Sequence, residues 1–181
     1  MSVAEETMAS LQVGQKAPDF SAQALMNDGS FKDVKLSEYK GKWVVLFFYP
    51  LDFTFVCPTE IQGFNKQIQE FKKLNTEIIG ASTDSVYSHK AWSESTLGKV
   101  SFPILGDTSH RVAKSFNVLL DDKGIALRGT FIIDPNGILK SAVVNDLPVG
   151  RSVEETLRTV QALQTGKLTG CGWKPGEKTL N

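Results

Sequence analysis

The chain has 181 residues, 41% of them hydrophobic and 22% charged, with 20 basic residues balanced by 20 acidic ones. This is enough for one domain with a sizeable core and argues against disorder. The zero net charge leaves no electrostatic footprint for nucleic acid or an anionic membrane, and the most apolar run, WVVLFFY at 43–49, is far too short to cross a bilayer.

The N-terminus, MSVAEETMASLQVGQ, lacks the basic and apolar regions of a secretory signal, and two cysteines make no disulfide framework, so a reducing cytoplasmic location is expected. Next, GQKAPDFSA at 14–22 reads as an extended entry, with Pro18 excluding helix locally. The stretch 30–42 leads through a short turn to a strand, WVVLFFYP, rich in β-branched and aromatic residues. From Cys57 onward Ile61, Phe64, Ile68 and Phe71 recur at helical spacing, and EIIGAST at 77–83 is a second strand. Strand, helix and strand with a continuous apolar first strand form a βαβ unit on a buried sheet.

The second half alternates again. SVYSHKAWSEST at 85–96 reads as a helix ending by Gly98, FPIL at 102–105 as a short extended piece, and 107–116 as a helix capped by Asp107. The stretch 128–144 is a hairpin, since PNG at 135–137 supplies turn chemistry between two apolar strands. Ser152 and Glu155 have the spacing of a capping box, opening a helix with Val153, Leu157, Val160 and Leu163 on one face. LTGCGWKPGEKTLN then reads as a mobile tail. The expected organisation is one α/β domain over 1–165 with a flexible tail over 166–181, without repeats or linkers.

The chain has two cysteines, too few for a disulfide framework, so a chemical or incidental role is expected for each. Cys57 stands where the buried strand gives way to a helix. Free backbone N–H groups and the helix dipole at such a junction favour an anion, here the thiolate, which is the nucleophile. Either Thr54 caps this helix, or Cys57 caps it and Pro58 takes the first helical position. Full ionisation of an ordinary thiol at pH 7 yields about thirty-fold, roughly 2 kcal/mol. The remaining acceleration must come from hydroxyl and cationic donors that hold the electrophile, with Thr54 well placed. Most lone cysteines are small buried hydrophobes, but the junction and its neighbours favour chemistry for Cys57. Dithiol exchange is disfavoured, as no C-x-x-C is present. A zinc site would have to recruit His89 and His110 at spacings that match no zinc motif, and a Cys–His hydrolase would need one of these imidazoles beside Cys57. Both histidines read as solvated or capping residues, and Trp92 and Trp173 as packing anchors.

PLDFTFVC at 50–57 has the P-x-x-x-T-x-x-C spacing of peroxiredoxins, and FTFVCPTEI resembles their typical two-cysteine branch. The resemblance extends through GQKAPDF, STDS at 82–85, RGTFIID at 128–134 and NDLPVGRSVEETLR at 145–158. It is strongest to the bacterial alkyl hydroperoxide reductase C type. This resemblance implies a thioredoxin-like α/β fold, a central mixed sheet with helices on both faces, and no cofactor or metal. It implies that Cys57 attacks a peroxide oxygen to give a sulfenic acid. Thr54 would hydrogen-bond the peroxide, Pro50 would shield the pocket, and Arg128 would stabilise the thiolate and the developing charge, with Glu60 and Arg151 as supporting residues. Cys171, on its sequence context alone an incidental surface thiol, would be the resolving cysteine of a head-to-tail homodimer that assembles to a decamer. The substrates would be hydrogen peroxide and organic hydroperoxides, and the electron donor thioredoxin or a flavoprotein disulfide reductase.

Because Cys57 opens a helix in a closed pocket, residues around 54–58 are expected to unwind in each turnover. Peroxide-sensitive members carry a Gly-Gly-Leu-Gly insertion and a terminal Tyr-Phe element, whereas this chain has SESTLGKV and ends ten residues after Cys171. Slower over-oxidation is therefore expected. The competing class is a holdase chaperone or redox relay, which would need neither the motif nor a second cysteine.

Overall fold

The computed structural model describes residues 11–181. The first ten residues, on which the leader and domain-start expectations rest, lie outside the described residues.

The structure is built around β3 (Trp43–Phe48), whose residues alternate between two apolar layers. Val44, Leu46 and Phe48 face one core, while Val45 and Phe47 face the other. A strand buried on both faces reads as one continuous apolar run, which is why WVVLFF shows no alternation in the sequence. Helix α1 (Cys57–Lys73) connects β3 to β4 (Thr76–Ser82), and the two strands pair in parallel. Ile61, Phe64, Ile68 and Phe71 of α1 are buried in the same layer as Phe47, and the Phe47 and Phe64 rings stack at 4.4 Å.

The remaining elements complete a seven-stranded mixed sheet. These are β1 (Ser21–Leu25), β2 (Phe31–Lys35), α2 (Val86–Trp92), β5 (Ile104–Gly106) and α3 (Arg111–Ser115). A small ribbon, β6 (Leu119–Leu120) and β7 (Ile125–Ala126), precedes β8 (Arg128–Ile133), β9 (Leu139–Asn145) and α4 (Val153–Gln164). The sheet order is β2-β1-β5-β4-β3-β8-β9, so β3 and β4 lie in its interior and β9 at an edge. Residues of α1, α4 and Trp92 fill one layer, and Val112, Ala113 and Phe116 fill the other. Helices thus cover both faces, as expected.

Several local expectations need correction. The segment read as a plain approach to β3 contains β2, paired antiparallel with β1. Only Val34 of β2 is buried, so its charged neighbours hid the strand. The helix expected over 107–116 begins only at Arg111, because His110 has a left-handed backbone with φ 61°. Asp107 nevertheless serves it, its carboxylate accepting from the N–H groups of Val112 (3.2 Å) and Ala113 (2.7 Å). Ser152 caps α4 by accepting from Glu155 N, while the Glu155 carboxylate turns to Arg158 rather than closing the box. The tail has no helix or strand but is tied down. Trp173 is buried, as the packing reading expected, and Leu180 N donates to Leu168 O.

Candidate active site

Cys57 is the first residue of α1 and is 0% exposed. Neither capping expectation holds. Val56 occupies the cap position in a helical conformation without a side-chain cap, and Thr54 Oγ1 donates to Leu51 O at 2.9 Å. The first-turn amides are therefore left free of a side-chain acceptor beside the sulfur. Pro50, two residues past the end of β3, is buried.

Three long-range residues build the surroundings of the sulfur. Arg128, which opens β8, points Nη1 at Cys57 Sγ (3.4 Å) and at Glu60 Oε2 (2.7 Å), and its Nε donates to Leu147 O at 2.6 Å. Arg151 donates from Nε to Glu60 Oε1 (2.8 Å) and from Nη2 to Glu60 Oε2 (3.1 Å), while its backbone N–H reaches Oε1 at 3.0 Å. It also donates to the carbonyls of Gly129 and Phe48, and its guanidinium lies over the Phe47 ring at 5.3 Å. Glycine is required beside Arg128, since a Cβ on Gly129 would fall 2.7 Å from the Phe131 ring.

Charge counting gives this arrangement its chemistry. Glu60, Arg128 and Arg151 are all buried in side chain, and among the described residues Glu60 is the only carboxylate paired with either arginine. One carboxylate against two guanidinium groups leaves a buried positive charge uncompensated, which is unfavourable unless an anion joins it. The Cys57 thiolate, or the oxyanion formed when a bond to oxygen breaks at this sulfur, completes the set. Burial pulls the Arg151 guanidinium below the usual arginine range, with Glu60 opposing that shift.

A second polar cluster lies behind the loop, and its Asp52 and His89 were missed as site residues. Asp52 is buried, and its carboxylate accepts from Tyr49 Oη (2.8 Å) and Ser88 Oγ (2.7 Å) and faces His89 Nδ1 at 2.7 Å. His89 Nε2 donates to Leu105 O at 2.9 Å, so this imidazole is fully buried and fully engaged, not solvated. It is also not free to serve Cys57 as a base, as a Cys–His hydrolase would require. Burial, then the neighbouring Asp52, pushes the Tyr49 phenol well above its ordinary 10.0. The only advance signal was an aspartate embedded in an apolar loop. The cluster pins the loop just before Phe53, a bulky residue with φ 56°, a conformation that costs roughly 1–2 kcal/mol.

Of the residues singled out in the sequence, the fold gathers Cys57, Arg128, Glu60 and Arg151 into one contact set, with Pro50 and Thr54 on the loop leading to it. Cys171 is not among them. It is exposed in the tail, and both cysteines are free.

A mixed sheet whose interior strand leads through a short loop to a buried sulfur at a helix start, faced by a guanidinium, defines a thioredoxin-like thiol enzyme. The model of the AhpC/TSA family matches residues 13–142, and the chain belongs to that family. It is 55% identical over 177 residues to Peroxiredoxin-1 of Gallus gallus, covering 93% of this chain and 89% of the avian one. Among solved structures it is similar to the reduced 2-Cys peroxiredoxin of Plasmodium vivax, with TM-score 0.91, 40% identity and coverage of 94% and 93%. It is likewise similar to the AhpC of Enterococcus faecalis, with TM-score 0.82, 40% identity and coverage of 84% and 92%. The protein is a peroxiredoxin, a thiol-dependent peroxidase with the thioredoxin-like fold.

Proposed function

We propose that Cys57 is the peroxidatic cysteine and that the observation carrying its role is the Arg128 Nη1 contact with Sγ inside the Glu60–Arg128–Arg151 cage. The thiolate attacks the terminal oxygen of a hydroperoxide. A sulfur–oxygen bond forms, the O–O bond breaks, and the leaving alkoxide or hydroxide takes a proton, leaving Cys57 as a sulfenic acid. Arg128 stabilises the charge as it moves from sulfur to oxygen. Thr54 turns its hydroxyl from Leu51 O to the peroxide, and Pro50 keeps water from the pocket. Glu60 and Arg151 hold Arg128 in place.

Cys171 of a second subunit is the resolving cysteine. The buried Cys57 and the disulfide requirement of Cα atoms within about 7 Å support an unwinding of the first turn of α1 before the two sulfurs meet. The pinned Asp52 and the strained Phe53 upstream support residues around 54–58 as the moving window. An external dithiol, thioredoxin or a flavoprotein disulfide reductase, returns both cysteines to thiols. Among the described residues β9 leaves a sheet edge unpaired with Val143 and Val144 exposed, which supports edge-strand dimers. Phe53 and Phe55, 56% and 95% exposed, support further association of dimers into a decamer in a cytoplasmic enzyme. Among the described residues no helix is long and apolar enough to cross a membrane.

The test is non-reducing intact mass with peptide mapping after one equivalent of hydrogen peroxide. A covalent dimer joined from Cys57 to Cys171 is the expected product. A monomer with sulfenic acid on Cys57 removes the role of Cys171, and two untouched thiols remove both.

A further inference from the structure

Arg158, on the outer face of α4, lies outside the Cys57 cage. Its Nε and Nη2 donate to the two carboxylate oxygens of Glu155, both at 2.7 Å. Its remaining nitrogen, Nη1, leaves the helix and donates to Trp173 O at 2.9 Å. A bidentate pair fixes the plane of a guanidinium, so the third donor is aimed rather than free. What it holds is the end of a tight turn. Trp173 N donates to Gly170 O at 3.1 Å, which places Cys171 and Gly172 at the two central positions. Gly172 has φ 66°, as the third residue of a type II turn demands. Cys171 is thus displayed on a closed turn rather than on a loose chain. Trp173 is 6% exposed, and its indole N–H donates to Glu177 O at 3.1 Å. Arg158 and Glu155 on α4 and Lys174 and Glu177 in the tail are the charged groups of this small assembly.

Glu155 holds the guanidinium above the usual arginine range.

We infer that Arg158 is a positioning residue for the resolving step: it holds the Gly170–Trp173 turn, and with it Cys171, through the Trp173 carbonyl. The inference rests on the resolving role of Cys171. In that step the Cys171 thiolate attacks the sulfenic sulfur of Cys57 on the partner subunit. The S–S bond forms and the S–OH bond breaks, and the departing hydroxide takes a proton to become water. Cys171 is oxidised and the Cys57 sulfur reduced. A turn held in one place keeps the effective concentration of the nucleophile high, whereas a glycine-rich tail released from Arg158 spreads it over many conformations.

The full-length protein, Cys171→Ser, Arg158→Met, Arg158→Lys and Glu155→Gln would be oxidised by hydrogen peroxide in a rapid-mixing experiment that follows sulfenic acid and disulfide separately. Cys171→Ser tests the underlying reading, which fails if the covalent dimer still forms. With that dimer lost, Arg158→Met should slow disulfide formation about five-fold, the size of one hydrogen bond. It should also raise the sulfinic fraction on Cys57 at equal peroxide and shift the Trp173 emission to longer wavelength. Arg158→Lys should recover most of the lost rate, because it keeps a donor for the Trp173 carbonyl. Glu155→Gln, which loosens the guanidinium without removing it, should slow the step about two-fold. It serves as the test should Arg158→Met fail to fold. Disulfide formation at or above the parent rate in Arg158→Met, or in Glu155→Gln where that substitution stands in, overturns the inference, and so does a lysine variant no better than methionine.

Discussion

The two sulfurs of this chain are held by opposite means. Cys57 is fully buried in a cage drawn from α1, the start of β8 and the loop before α4, with every charged group around it itself buried. Cys171 is exposed on a four-residue turn that one partly exposed arginine steadies. A sulfur that must meet a small peroxide gains from a dry, fixed field, because charges in a low dielectric act strongly and need no reorganisation. The resolving role proposed for Cys171 asks instead for an exposed sulfur on a turn held in place from outside the cage. The difference in burial fits the two tasks proposed for these sulfurs.

The comparison is broken most severely by removing the buried sulfur. Cys57→Ser should reduce thiol-dependent peroxide consumption to background, and retention of activity would show that the cage is not where the chemistry occurs. Arg128→Met should lower kcat/KM for hydrogen peroxide by about 10²–10³-fold, the usual loss for one oxyanion-stabilising donor, with the thiol still present by mass. Glu60→Gln removes the one carboxylate that, among the described residues, pairs with the two buried guanidinium groups, and denaturant unfolding should show a loss of about 3–5 kcal/mol. Asp52→Ala strips the acceptor from Tyr49 and Ser88 and from the face of His89. A loss of about 1–3 kcal/mol is expected, with faster proteolysis within residues 50–58 as the local reporter.

The smallest effect belongs to the exposed side. Arg158 holds the Glu155 carboxyl below its ordinary 4.5. Because that value is depressed in the folded protein, the stabilisation is present in full above the ordinary value and is lost as pH falls through the lowered one. The emission of Trp173 should therefore stay constant from neutral pH to below about 4.5, then shift as the tail loosens by about 0.2–0.5 kcal/mol. A shift near neutral pH would mean that a different group holds the tail.

Much of this architecture was legible along the chain. β3, α1 and β4 followed from one apolar run and one helical spacing, the β8–β9 hairpin from its turn residues, and α4 from Ser152 and its apolar face. The position of Cys57 at a helix start was equally legible, since it depends on residues within one turn of it. The grouping of Glu60, Arg128 and Arg151 was available only through resemblance to a family, because an isolated arginine carries no mark of its partner. In space those bonds join residues 68 and 91 positions apart.

What the sequence by itself determined is therefore the local set: the periodicity of each helix, the buried central strand, the turns and the strand-to-helix junction that bears Cys57. Propensity and patterning act over a few residues and are written in consecutive letters. The tertiary structure alone decided the burial of His89 against Asp52, the pairing of β2 despite its charged exposed face, and the anchoring of a glycine-rich tail by Arg158. Each depends on a partner brought close by the packing of other elements. A buried polar group is stable only where that partner exists, a relation between distant segments that no local pattern encodes.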